Sequence, residues 1–356
     1  MIDYGTAPVA DEFEVTLFGP GFGEAIAIHI GEHNWMLVDS CIDPNSSEPA
    51  SATYLNQLGV APHQVRSIVA SHWHDDHVRG ISQLAARYTD AEFLVSSVFN
   101  DKEAAYFLSA YSGNAAPGQA RGATELFEVM KRKSEVFFIH QRSNVLELDL
   151  PGRPIRVTAL SPVQGAISQS IAHMASFLPR REGGTPINHA PELKPNIEAI
   201  AIHIDVGDDA ILLGSDLEDH ATLGWSAVVA DHWCSSRRPA TAYKVAHHGS
   251  YTGDTPAIWA TLLRPHPVAC LTPFNLGKHK LPTDIDKIRI RGNTQHRYIS
   301  SGASRKPELD SAQEKRLSDI CKNLSRVNSG FGAVRLRKRF GSSAWVVECF
   351  GHAQQF

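Results

Sequence analysis

The stretch "IVASHWHDDHVRGI", Ile68–Ile81, sets three histidines and two aspartates within six positions, directly behind a short apolar run. A solvated polar turn is the plain reading, since both residue types tolerate water. Two further apolar runs end in the same manner: "ILLGSD" stops at Asp216, and "YKVAHHGS" stops at His247 and His248. Adjacent histidines before Gly-Ser are poor core residues, because both ring nitrogens of each need partners. Three strand ends tipped with imidazole and carboxylate therefore predict a fold whose strand termini gather around a metal site.

The remaining totals bound what surrounds that site. The 356 residues are 42% hydrophobic and 20% charged, enough for one large core or two modest ones. No run approaches the roughly 20 apolar residues of a membrane span. The N-terminal "MIDYGTAPVADEFEV" lacks the basic start and apolar segment of a secretory signal. Five scattered cysteines without a C-x-x-C pair read as reduced thiols of a cytoplasmic protein. A net charge of −4 offers no global attraction to nucleic acid. Local basic runs at 131–133, 289–297 and 335–340 are candidate patches or ordinary solvated faces.

Along the chain, "FEVTLFG", "EAIAIHIG", "NWMLVDS", "RSIVASH" and "EFLVSS" read as strands, with helices over 49–60 and 78–88. Residues 101–135 are helical around a loop, and 164–195 read as a long loop with one helical turn. A second set of strands follows: a hairpin over 197–216, "AYKVAHHGS" and "PVACLTP". Helices are expected at 217–233, 256–263 and 308–327, and a hairpin closes the chain. Strands and helices alternating in two successive sets predict a layered α/β sandwich with helices outside.

In the first cluster, His72 and His74 can share one ion, while Asp76 and His77 converge on a second. Imidazole with carboxylate suits zinc, iron, manganese or cobalt. Asp216 is placed to bridge two ions; the alternative is a cap on the following helix. One of His247 and His248 adds a ligand.

These motifs, in this order, resemble those of the metallo-β-lactamase-fold hydrolases. The closer likeness is to the branch with competence-protein nuclease-like domains and phosphorylcholine esterases. The correspondence runs through Gly21-Phe22-Gly23-Glu24, Asp39, His72–His77, Asn196, Ser215-Asp216, His247–Ser250 and the "KHKLP" segment with His279, covering about residues 13–285. It implies a four-layer αβ/βα sandwich in one domain over 1–356, with insertions at 101–135 and 164–195 and a C-terminal extension at 286–356. It further implies two divalent ions, zinc favoured over manganese or iron, sharing a hydroxide that Asp76 and its neighbours help to place. Asp39 would orient a ligand histidine from behind. His279, between Lys278 and Lys280, would protonate a leaving group or bind a phosphate oxygen; otherwise it is an exposed loop histidine. Ser215 stands where the family usually has Gly. The third histidine of the first ion has no obvious counterpart; His173, His189 and Asn196 are the candidates. The expected activity is hydrolysis of a phosphodiester, nucleic acid included. The alternatives are a lactonase-like hydrolase of C–O or C–N bonds and a metal-stabilised binding module.

Overall fold

The computed structural model describes residues 2–112, 121–150, 153–178, 195–276, 279–301, 311–313, 316 and 330–356. Two eight-stranded mixed sheets form its centre. In spatial order the first holds Val346–Gly351, Gly332–Arg339, Glu12–Gly19, Ala25–His29, Trp35–Val38, Val65–Val69, Glu92–Ser96 and Phe137–Ile139. The second holds Gln354–Gln355, Arg297–Ile299, Leu263–Leu271, Ala240–Lys244, Asp209–Leu213, Ile202–Val206, Arg153–Ala159 and Asn144–Leu150.

The central strands are apolar throughout because both faces are covered, and their two-residue period divides them between layers. Met36 and Val38 point into the space between the sheets; Trp35 and Leu37 point out, under helices. Across the gap, Ile211 and Leu213 meet the first sheet, whereas Ala210 and Leu212 back onto the second set of helices. Leu55, Leu84, Phe107, Leu126 and Ile167 cover the first sheet from five helices. Trp225, Val228, Ile258 and Ile290 cover the second. Three apolar layers between helix, sheet, sheet and helix make the four-layer αβ/βα sandwich expected from the sequence.

The expected irregular segment at 164–195 contains a thirteen-residue helix, Gln164–Ser176. Its buried residues are Ala166, Ile167, Ser170 and Met174. Gly165 and the serines Ser168, Ser170 and Ser176 mask that stripe in the sequence, since they weaken helix propensity without destroying the face. Residues 179–194, with His189, lie outside the described residues.

The helix expected over 217–233 begins only at Trp225, and a second short one follows at His232–Ser235. The Asp219 carboxylate accepts the Ser226 amide and hydroxyl at 2.8 and 2.7 Å, tying down the loop before it. Asp216 therefore caps no helix. The last hairpin, Gly332–Arg339 with Val346–Gly351, joins the first sheet along the whole of Glu12–Gly19. Of the helix expected at 308–327, only residues 311–313 and 316 are described, and they are helical. No described helix is long and apolar enough to cross a membrane.

Candidate metal centre

Trp35–Val38 and Val65–Val69 run parallel, as do Asp209–Leu213, Ala240–Lys244 and Leu263–Leu271. Their C-terminal ends carry Asp39, Ser71–His77, Asp216, His247–His248 and Thr272. Binding sites of α/β sheets commonly sit beyond such strand ends.

Four side chains converge there. The Nε2 atom of His248 lies 3.1 Å from Asp76 Oδ2 and 3.3 Å from Asp216 Oδ2. His77 Nε2 lies 3.4 Å from the same Asp216 oxygen and 3.7 Å from Asp76 Oδ2. All four residues are buried, and one ligand atom from each falls within 4.8 Å of the others.

Hydrogen bonds behind the cluster settle which nitrogen of each ring faces inward. Asp39 Oδ2 takes the Nδ1 proton of His77 at 2.7 Å, leaving Nε2 for the centre. Asp39 also accepts the Ser71 hydroxyl at 2.7 Å. A hydroxyl has one proton to give, so Ser71 must accept from its other neighbours, His72 Nδ1 at 3.1 Å and Ser215 Oγ at 2.8 Å. His72 Nε2 then carries a lone pair, and it lies 3.1 Å from His74 Nδ1. Likewise the Thr272 hydroxyl donates to Glu24 at 2.5 Å, and the Thr272 carbonyl receives His248 Nδ1–H at 3.1 Å. Three rings thus present Nε2 with the far nitrogen anchored, the usual support of metal-ligating histidines.

The electrostatics call for a cation. Burial alone would lower the His248 pKa, but Asp216 and Asp76 push it up to about 9. His77 is raised well above its ordinary value by Asp216, Asp76 and Asp39 against the same burial. The proton fills the place a positive ion would take. His77 Nε2 itself is buried without a hydrogen-bond partner. His72 and His74 are lowered instead, by burial first and by neighbouring imidazoles, so they stay neutral. Neutral imidazoles and ionised carboxylates are the forms that bind divalent metals.

The first ion's third ligand remains open. His173 lies exposed on its helix, packed against Phe177, and among the described residues makes no contact with the cluster. Asn196 lies at its border: Nδ2 donates to Glu218 at 3.0 Å and stands 3.3 Å from His247 Nε2, while Oδ1 is buried without a partner among the described residues. His247 turns away from Asp76 and Asp216, toward Thr252 Oγ1 at 2.8 Å and Glu218 at 3.3 Å. Of the histidine pair, His248 is the one in the cluster. Residues 277–278 are undescribed, as is the side chain of His279, so the proton-donor expectation falls outside the described residues.

Two buried residues outside the cluster, Lys244 and Glu198, support it. The Lys244 ammonium pairs with Glu24 at 2.7 Å, donates to the Ser215 carbonyl at 2.8 Å and lies 3.6 Å from Asp216 Oδ1. All of these side chains are buried. Glu198, also buried, accepts the indole N–H of Trp73 at 2.7 Å and so holds the middle of the histidine loop.

Residues 18–168 match the family model of the Metallo-beta-lactamase superfamily. No curated protein matches the chain. Among solved structures, a mutant metallo-beta-lactamase from Cronobacter sakazakii shares 15% identity, with 64% of this chain and 75% of that one covered, at a TM-score of 0.37. MEM-A1, a subclass B3 metallo-beta-lactamase from a soil metagenome library, shares 14% over 69% and 80%, at 0.36. The flavodiiron protein of Giardia intestinalis shares 11% over 55% and 32%, at 0.28. The family-model match covers the segment that carries His72–His77, and over that segment the chain is similar to the metallo-β-lactamase superfamily.

Proposed function

We propose that the protein is a dinuclear metal-dependent hydrolase that cleaves a phosphodiester. The observation that carries this reading is the convergence of Asp76, His77, Asp216 and His248 on one point, with His72 and His74 paired beside them. His72, His74 and Asp216, with the Asn196 amide oxygen, would hold one ion; Asp76, His77, Asp216 and His248 would hold the other. Bound divalent cations, zinc by donor type, would supply charge neutralisation and lower the pKa of water at neutral pH. The chain's own part is to fix this frame. Asp39 and Thr272 keep His77 and His248 in the metal-binding tautomer, and Lys244 offsets part of the carboxylate charge. His247 borders the cluster, its ring 6.3 Å from that of His248 and its Nδ1 3.3 Å from Glu218.

The phosphodiester assignment rests on the "HHGS" likeness to the competence-protein branch. A small diester fits better than a long nucleic acid, because several cations of the basic runs are already engaged. Lys133 caps the carbonyls of Tyr88, Thr89 and Ala91. Arg289 pairs with Asp254 and Asp286. Arg335, Arg337 and Lys338 pair with Glu348, Glu14 and Asp209.

One observation favours a carboxylic ester or lactone instead. Phe22 and Phe274, 5.4 Å apart, give the site an apolar wall. Turnover of bis-p-nitrophenyl phosphate, a lactone and a β-lactam by metal-loaded wild type and Asp216→Ala separates the readings. Diester cleavage lost in the variant supports the proposal; lactone cleavage alone would replace it.

A further inference from the structure

A pocket of about 350 Å³ is walled by Pro20, Phe22, Ile42 and Pro44, and its charged lining is Arg79 with the carboxylates of Asp75 and Asp76, which are engaged elsewhere. Arg79 follows the short helix Asp75–Val78, and its carbonyl is pinned by the Ser40 hydroxyl at 2.9 Å. Its guanidinium carbon lies 5.6 Å from the centre of the Phe22 ring. The Nε–H is buried without an acceptor, and Arg79 enters no ion pair among the described residues. A buried guanidinium N–H left unpaired is costly, so such a group normally has a partner.

The nearby carboxylates do not provide one. Asp76 faces His248. Asp75 accepts the Gly122 amide at 2.7 Å, and Asp43 accepts the backbone and side-chain amides of Asn45 at 2.8 and 2.9 Å. The pocket is also connected to the metal centre. Phe22 packs on Phe274 at 5.4 Å, and Phe274 packs on the His248 ring at 5.4 Å. An aromatic shelf therefore runs from the guanidinium to a candidate metal ligand. Gly23 keeps it open: with φ at +120° and Cys41 Cβ 2.8 Å from where its own Cβ would lie, no larger residue fits.

We propose that this pocket is a substrate subsite for a second anionic group, a carboxylate or a phosphate, carried on an apolar segment of the molecule being hydrolysed. The planar fork of Arg79 matches such oxygens in a bidentate manner. The Phe22–Phe274 shelf takes the apolar segment between that anion and the scissile ester. The inference rests on the metal-hydrolase reading for its second anchor point but not on which bond is cut.

Calorimetric titration of the metal-loaded protein tests it with three probes: phenyl phosphate, 4-carboxyphenyl phosphate and 1,4-phenylene bisphosphate. For wild type, at least one doubly anionic probe should bind about tenfold more tightly than phenyl phosphate, the low end for charge-assisted pairing. Arg79→Ala should bring that ratio to about one, and Arg79→Lys should keep part of it. Whichever probe gains identifies the anion. Equal affinity of all three for wild type, or a ratio that survives in Arg79→Ala, overturns the proposal. Should Arg79→Ala fail to fold, a ratio unchanged in Arg79→Lys does the same. Because the readout is binding, it stands apart from turnover of bis-p-nitrophenyl phosphate, whose absence would count against the phosphodiester reading alone.

Discussion

Asp39 Oδ2 lies 2.7 Å from His77 Nδ1, and both side chains are fully enclosed. Asp39 is not aimed at the cluster centre; it acts on it through the histidine. The same carboxylate holds Ser71, and through Ser71 the ring of His72. One aspartate thereby orients a ligand of each candidate ion.

Asp39→Asn should therefore lower affinity for both ions, by about 10- to 100-fold, the range seen when such supporting partners are removed. Chelator competition measures it. An unchanged affinity would show that His77 and His72 are held without Asp39.

Metal binding should release protons. His77 and His248 are both raised in the metal-free fold, His248 to about 9, so both carry protons near neutrality that a cation must displace. Affinity should accordingly rise with pH up to about 9. Titrations in buffers of different ionisation enthalpy count the protons; a pH-independent affinity between 7 and 9 contradicts this.

Glu198 gives a separate pH signature. Burial raises its pKa from 4.5 to about 7, against hydrogen bonds from Ser170 and Trp73. A raised folded-state pKa means the stabilising contribution is present below the unfolded value and lost as pH rises through about 7. Wild type should lose on the order of 3 kcal/mol relative to Glu198→Gln between pH 4.5 and 7.5. Melting curves across that range, run on metal-free protein, should show the two diverging. Parallel curves would mean that Glu198 titrates normally.

Lys244→Met should destabilise the protein by about 3–5 kcal/mol, because Glu24 would be left buried and unpaired. Adding Glu24→Gln should recover part of that loss. If the double variant is less stable than the sum of the single ones, the pair is not the reason these residues are there.

The layered fold and the cluster were legible because strand-end motifs concentrate their information locally. "SHWHDDH", "LLGSD" and "KVAHHGS" each place ligand-type residues where an apolar run stops, and the parallel strands bring those ends together. Distinguishing His248 from His247 was not possible, because both have left-handed backbone angles and only the three-dimensional turn decides which faces Asp216. Glu24 and Lys244 meet across 220 positions of chain, a pairing that no local pattern announces. The helix at Gln164–Ser176 was missed because its buried stripe includes Ser170 and its start includes Gly165. Nothing in the sequence marks Arg79; that its Nε–H has no partner among the described residues emerges only once its neighbours' bonds are known.

The central claim is that ligands from both sheets would hold two ions, with Asp216 shared between the two sets. Metal content of purified, metal-loaded wild type, His74→Ala and Asp76→Ala, measured by elemental analysis beside bis-p-nitrophenyl phosphate turnover, addresses it most directly. Two equivalents in wild type, about one in each variant, and loss of turnover in both are the expected result. Two equivalents retained in both variants would contradict the account.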